Sequence, residues 1–220
     1  MKFKMMCFVA ACFLVISFSL AEAYPLYEVL DTPYRLSNGG PFLIDPVGFG
    51  ANFYSFCVER TEYIHLSGIY YGTIDSVVIY GSGDVNNSDV LQTNTKKLYN
   101  YALDNWAAII AGPTAPQELT AIQVAIWASQ GEIVAPSPGA NWYYDHVGDA
   151  SLFPLNRNIM VLNLWTRDVQ GYEPFVGNQN AFGLRAQSQL IAVPEPGILI
   201  LLGIGLSSLG LLARRKKETV

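Results

Sequence analysis

Apolar and polar positions along the chain follow two periods. From residue 52 to 59 they alternate, so that Tyr54, Phe56 and Val58 fall on one face and Phe53, Ser55, Cys57 and Glu59 on the other, the signature of a strand. A short apolar strand at 41–44 precedes it, set among the glycines, prolines and asparagines of 36–50. Residues 63–71 and 73–80 read as two more strands joined at Gly72, and 81–84 as a turn. The period then lengthens. Leu98, Tyr101, Ala102, Asn105, Trp106 and Ile109 recur at helical spacing and predict a helix over 93–110, stopped by Gly112-Pro113. A second helix starts near Pro116, because proline fits a first helical turn, and runs to Gln130 before Gly131. Leu119, Ile122 and Ile126 mark its apolar side, and Ala121, Val124, Ala125 and Ala128 leave so few polar positions that the helix is enclosed on most sides.

Residues 137–153 read as irregular, with an aromatic run Trp142-Tyr143-Tyr144. Residues 159–166 predict a strand, since Val161-Leu162 and Leu164-Trp165 suit a sheet, and 182–193 a closing strand with Leu184 and Leu190 inward. Strands, then helices, then strands argue an α+β class: a β-sandwich or barrel-like domain with an inserted helical segment.

The two ends follow other rules. Lys2 and Lys4, an uncharged stretch over 5–20 and the small residues around Ala21-Glu22-Ala23 mark residues 1–23 as a secretory signal peptide, with a retained anchor as the alternative. At the other end, Val193-Pro194-Glu195-Pro196 is followed by an uncharged run over 197–213 and then by Arg214-Arg215-Lys216-Lys217. Seventeen helical residues span roughly 25 Å, enough for a thin bilayer core. The basic end should stay cytoplasmic, as a stop, and leave the domain outside. This order of parts resembles the PEP-CTERM sorting signal of bacterial exopolysaccharide-associated proteins. The resemblance implies recognition by an exosortase at the inner membrane, one transmembrane helix, and display at the cell surface or release after tail processing. The domain proper is then 24–192 and the tail 193–220.

Composition narrows the chemistry. The chain has 220 residues, 51% hydrophobic and 14% charged, too apolar for disorder. Between 24 and 193 there are 7 basic and 15 acidic residues, net −8, which excludes a nucleic-acid partner. Cys7 and Cys12 lie in the signal, so Cys57 is the one cysteine of the exported chain. It cannot form an internal disulfide. It is a buried inert thiol, a nucleophile, or a sulfur bonded to something other than sulfur.

Gln123 is the polar residue in the middle of the apolar second helix, with Trp127 four residues on and on the same face. A buried carboxamide needs partners, and a neighbouring backbone would suffice. Phe53-Tyr54-Ser55-Phe56-Cys57-Val58-Glu59, followed by Ile122-Gln123-Val124-Ala125-Ile126-Trp127, resembles the thioester domains of bacterial surface adhesins over residues 39–190. Their pattern is an aromatic-Cys pair on a strand and a hydrophobic-Gln-x-x-hydrophobic-Trp stretch on a helix. The resemblance implies an internal thioester between Cys57 and Gln123, packed by Trp127, Phe56 and Ile126. Such a bond captures an amine, on a partner surface protein or a small molecule, in adhesion or attachment to an extracellular matrix. It needs no cofactor, no metal and no turnover. Those adhesins carry long stalks, whereas this chain carries a membrane-sorting tail.

Two other readings stand beside it. One is a structural or carbohydrate-binding protein of an exopolysaccharide matrix, in which Trp142, Tyr143 and Tyr144 could form a stacking platform, though core packing or a loop cover over the thioester explains them equally well. The other is a cysteine hydrolase, which would need His65 or His146 against Cys57. Asp145 and Asp149, with Asp84 and Asp89 elsewhere, match no calcium loop and read as solvated turn acids.

Overall fold

The computed structural model describes residues 25–35, 39–62, 64–79, 89–166 and 185–194. The expected signal peptide, Glu195, Pro196, the apolar run at 197–213 and the basic end lie outside the described residues. Among the described residues no helix is long and apolar enough to cross a membrane.

Among the described residues, eight strands and three helices follow in chain order: β1 (Leu26–Leu30), β2 (Phe42–Pro46), β3 (Phe53–Ser55), β4 (Gly68–Asp75), β5 (Val77–Val78), β6 (Asp89–Val90), α1 (Thr93–Ala111), α2 (Ala115–Gln130), α3 (Trp142–His146), β7 (Asn158–Thr166) and β8 (Arg185–Val193). Six strands form one antiparallel sheet in the order β3-β2-β1-β4-β7-β8, and β5 pairs with β6 apart from it. The sheet curls until its two edges meet. Cys57, two residues past β3, forms an antiparallel bridge with Gln189 of β8. The Val58 N–H donates to the Ser188 carbonyl at 3.0 Å and the Leu190 N–H to the Phe56 carbonyl at 3.0 Å. The architecture is α+β, a nearly closed barrel-like sheet with a helical insertion between β6 and β7.

Alternation along each strand sorts side chains into two cores. Tyr27, Val29, Phe42, Ile44, Cys57, Tyr70, Leu162, Leu164 and Ala186 form one cluster, which Trp127 of α2 enters. Phe56, Val58, Val161 and Leu190 turn the other way, against Leu98, Tyr99, Leu119, Ile122 and Ile126 of α1 and α2. Thus the helices lie over the seam where the barrel closes.

Several elements differ from the pattern reading. β1, which lies inside the sheet, is not among the expected strands: Leu26 and Leu30 break the alternation of Tyr27 and Val29, so its period is hidden. Only three residues of the expected 52–59 strand pair with β2, and the rest serves the seam. The break expected at Gly72 is absent, and β4 runs through it with Gly72 opposite Leu164. Glycine is needed there for space rather than for a turn, because a Cβ would overlap the Tyr27 ring and lie 2.8 Å from Leu162. Within the stretch expected to be irregular, α3 forms because the Asn141 side chain caps the N–H groups of Tyr143 and Tyr144. The two long helices fall where their periodicity puts them, and α2 ends on Gly131 in the left-handed conformation.

Candidate functional site

The seam leaves a specific vacancy in the hydrogen-bonding of Cys57. In the Cys57–Gln189 pair the flanking bonds run from Val58 and Leu190, which makes it a non-hydrogen-bonded antiparallel pair. The N–H and C=O of Cys57 therefore point away from β8. The paired part of β2 ends at Phe42, opposite Ser55, and offers them no strand. Gln123 takes that place. Its Oε1 accepts the Cys57 N–H at 3.0 Å and its Nε2 donates to the Cys57 carbonyl at 2.8 Å. One carboxamide thus acts as a substitute peptide unit along the open edge of Cys57.

A second donor meets the same oxygen. The Gly40 N–H donates to Gln123 Oε1 at 3.1 Å, so the oxygen sits between two backbone N–H groups. The segment that carries Gly40 is tied down by the Thr32 hydroxyl, which donates to the Pro41 carbonyl at 3.0 Å. Two glycines are required for its close approach. A Cβ on Gly40 would stand 3.1 Å from Gln123 Oε1 and 3.0 Å from the Ser55 carbonyl oxygen. On Gly39, at φ +144°, it would stand 2.9 Å from the Trp127 ring and 3.0 Å from Gln123 Cγ. Cys57 and Gln123 are 0% and 2% exposed, so water is excluded from both.

The sulfur has its own partners. The Cys57 thiol donates to Gln187 Oε1 at 2.8 Å, and Gln189 Nε2 lies 3.8 Å from Sγ. Burial pushes the thiol pKa up to about 12, against the opposing pull of the Gln189 bond and the Gly40 N–H. Near neutral pH the sulfur is therefore protonated. Two residues along, Glu59 is also buried, and its carboxylate accepts the Ser188 N–H at 2.9 Å. Burial raises its pKa to about 7, with Glu62 and Glu132 adding to the rise.

Three carboxamides thus surround Cys57: those of Gln187 and Gln189 meet its sulfur, and that of Gln123 its backbone. They are not equivalent electrophiles. Attack on a carboxamide carbon places negative charge on its oxygen, and only donors aimed at that oxygen can stabilise it. Gln123 Oε1 has two backbone N–H groups, Gln187 Oε1 receives the thiol hydrogen, and Gln189 Oε1 has no partner among the described residues. The two-donor hole singles out Gln123.

Of the residues expected to pack around the pair, Trp127 shares the Cys57 cluster and covers Gly39, whereas Phe56 and Ile126 lie in the helical core. Neither histidine is a partner of the thiol. His146 stacks on Trp142 at 4.9 Å, and the His65 backbone bonds the Tyr70 hydroxyl. Asp145 and Asp149 accept from turn N–H groups, Asp89 pairs in β6 and Asp84 lies outside the described residues. Among the described residues no group of three acids, histidines or cysteines could hold a metal ion. Tyr143 is buried in the helical core, Tyr144 packs against it and Trp142 is half-exposed. Gly39, Gly40, Gln187 and Gln189 belong to the site without being marked by the periodicity of the chain. For the last two a signal existed: Gln187-Ser188-Gln189 is a polar run directly before the apolar end of the closing strand at 190–193, just as Gln123 is a polar interruption of its helix.

Residues 192–217 match the PEP-CTERM protein-sorting motif, covering Val193, Pro194, Glu195 and Pro196, the apolar run and the basic end. No curated protein matches the sequence. Among solved structures the chain is similar to the N-terminal thioester domain of fibronectin-binding protein SfbI from Streptococcus pyogenes. The identity is 14% and the TM-score 0.43, over 80% of this chain and 97% of that one.

Proposed function

We propose that the protein is an exported surface protein in which Cys57 and Gln123 form an internal thioester that captures a primary amine covalently. The observation that carries the reading is the Gln123 oxygen held by the Gly40 and Cys57 N–H groups, in a buried site on the backbone of Cys57 itself. Closure is balanced within the chain. Sγ bonds to the Gln123 carboxamide carbon, the C–N bond breaks, and the thiol hydrogen leaves with the nitrogen as ammonia. Holding the two groups together supplies up to about 7–11 kcal/mol of the barrier that a free thiol and amide face in water. Each donor to the developing oxyanion contributes about 3 kcal/mol. Cover by Trp127 and Gly39 keeps water from hydrolysing the product.

Capture runs the other way with a new nitrogen. An amine bonds to the Gln123 carbon, the C–S bond breaks, and the proton goes to Cys57. The partner stays attached and the reaction happens once. The reading includes removal of residues 1–23, exosortase processing of the tail, and attachment to a neighbouring surface protein, a small amine or the exopolysaccharide matrix. Pro194, just past β8, has no N–H for a ladder, so the tail begins where the sheet ends.

One observation also suits an unreacted pair. The intact Gln123 carboxamide has partners for both its oxygen and its nitrogen, as a purely structural glutamine would. A labelled primary amine separates the two. The thioester reading predicts that it adds at Gln123, mapped by peptide mass, and that Cys57→Ala abolishes the addition. Absence of label from folded wild-type protein supports the structural role and removes the covalent one.

A further inference from the structure

Opening the thioester changes the hydrogen-bonding of one residue outside the Cys57–Gln123 pair. Gln187 Oε1 accepts the thiol hydrogen at 2.8 Å, and its Nε2 is fixed to the Glu59 carbonyl at 2.6 Å. The carboxamide is therefore anchored at one end and aimed at the sulfur with the other. Gln189 Nε2, from the same strand, lies 3.8 Å from that sulfur and is further held by the Gln187 carbonyl at 3.3 Å. Both side chains are buried. A thioester sulfur carries no hydrogen. In the closed state Gln187 Oε1 loses its donor while remaining shielded from water, which disfavours that state. In the opened state the thiol returns and the bond is remade.

We propose that Gln187 is a positioning residue for amine capture, receiving the hydrogen of the departing Cys57 sulfur and so favouring the opened, partner-bound state. This rests on the thioester reading. The amine nitrogen bonds to the Gln123 carboxamide carbon, the C–S bond breaks, and one amine hydrogen ends on Sγ, directed at Gln187 Oε1. Gln189 Nε2 supports the sulfur while it carries negative charge. A carboxamide suits the task because it offers an acceptor that does not titrate and a donor for its own anchor.

The test is the rate at which methylamine opens the bond, followed by intact mass in wild type, Gln187→Met and Gln187→Leu, two apolar side chains that remove the acceptor. Both variants should open about fivefold to tenfold more slowly, the factor for one ordinary hydrogen bond. A merely structural role predicts the opposite sign, because a loosened site admits amine faster. Either variant opening at or above the wild-type rate overturns the proposal. Should Gln187→Met fail to fold, the rate of Gln187→Leu decides in the same way. Wild-type protein at full sequence mass before any amine overturns the thioester reading and this proposal together. An ammonia deficit with unaltered rates in the variants overturns only the role of Gln187.

Discussion

Opening the bond with methylamine should lower the thermal stability of the domain by a calculable amount. Cys57 and Gln123 are 66 residues apart, and a cross-link closing a loop of that length restricts the unfolded chain by about 4 kcal/mol at 25 °C. Methylamine removes the cross-link but leaves an amide on Gln123. Its oxygen keeps the Gly40 and Cys57 N–H groups. Its single N–H can restore the bond to the Cys57 carbonyl, found at 2.8 Å in the intact carboxamide, and the freed thiol regains Gln187 Oε1 at 2.8 Å, each returning about 1 kcal/mol. The added methyl enters a site already so close that a Cβ on Gly39 or Gly40 would meet Gln123 at about 3 Å, and overpacking costs about 1–3 kcal/mol. The net loss is about 3–5 kcal/mol. For a domain of this size that lowers the midpoint by roughly 6 °C or more. Thermal unfolding by circular dichroism, on protein whose adduct is verified by mass, measures it, and Cys57→Ala should show no methylamine effect. A complete adduct that unfolds within about 2 °C of the untreated protein refutes the reasoning, since the covalent link would then contribute nothing.

Other perturbations test the surrounding geometry. Gly39→Ala places a Cβ against Trp127 and Gln123 at a backbone conformation that favours glycine, so it should cost about 2–4 kcal/mol and leave a fraction of the protein without the ammonia deficit, read by denaturant unfolding and mass. Gly72→Ala should destabilise by about 3 kcal/mol or more while leaving any folded protein competent for closure, because its clash is with Tyr27 and Leu162 inside the barrel. Glu59 has a folded pKa near 7 against an ordinary value of 4.5, so above the unfolded value the native state holds the extra proton and stability falls as pH rises from about 4.5 to 7. That fall is about 3 kcal/mol, and Glu59→Gln should flatten it in denaturant midpoints taken from pH 4.5 to 8.

Periodicity made the helical insertion legible. The apolar spacing of α1, the proline opening α2 and Gly131 closing it leave little choice of boundary. It also made the strand face of Cys57 legible, since Phe56 and Val58 turn to the helices and Cys57 to the barrel. Closure of the sheet was not. It depends on Cys57 meeting Gln189, a pairing across 132 residues that no local pattern encodes. The oxygen hole was hidden for a related reason. Its donors are main-chain N–H groups, which every residue but proline possesses, and only the fold decides that those of Gly40 and Cys57 converge on Gln123. Tyr143 shows the converse case. Its aromatic run fits a sugar platform and core packing equally as a sequence, and the Asn141 cap decides for Tyr143 by turning the run into a helix that buries it, its hydroxyl donating to Glu118.

Intact mass of the purified, untreated domain bears most directly on the Cys57–Gln123 bond. The expected value is the sequence mass less one ammonia, with no thiol available to an alkylating reagent even after unfolding under mildly acidic conditions. A folded domain at its full sequence mass, whose Cys57 alkylates on unfolding, contradicts the bond and leaves Gln123 as a carboxamide that completes the hydrogen-bonding of a barrel seam.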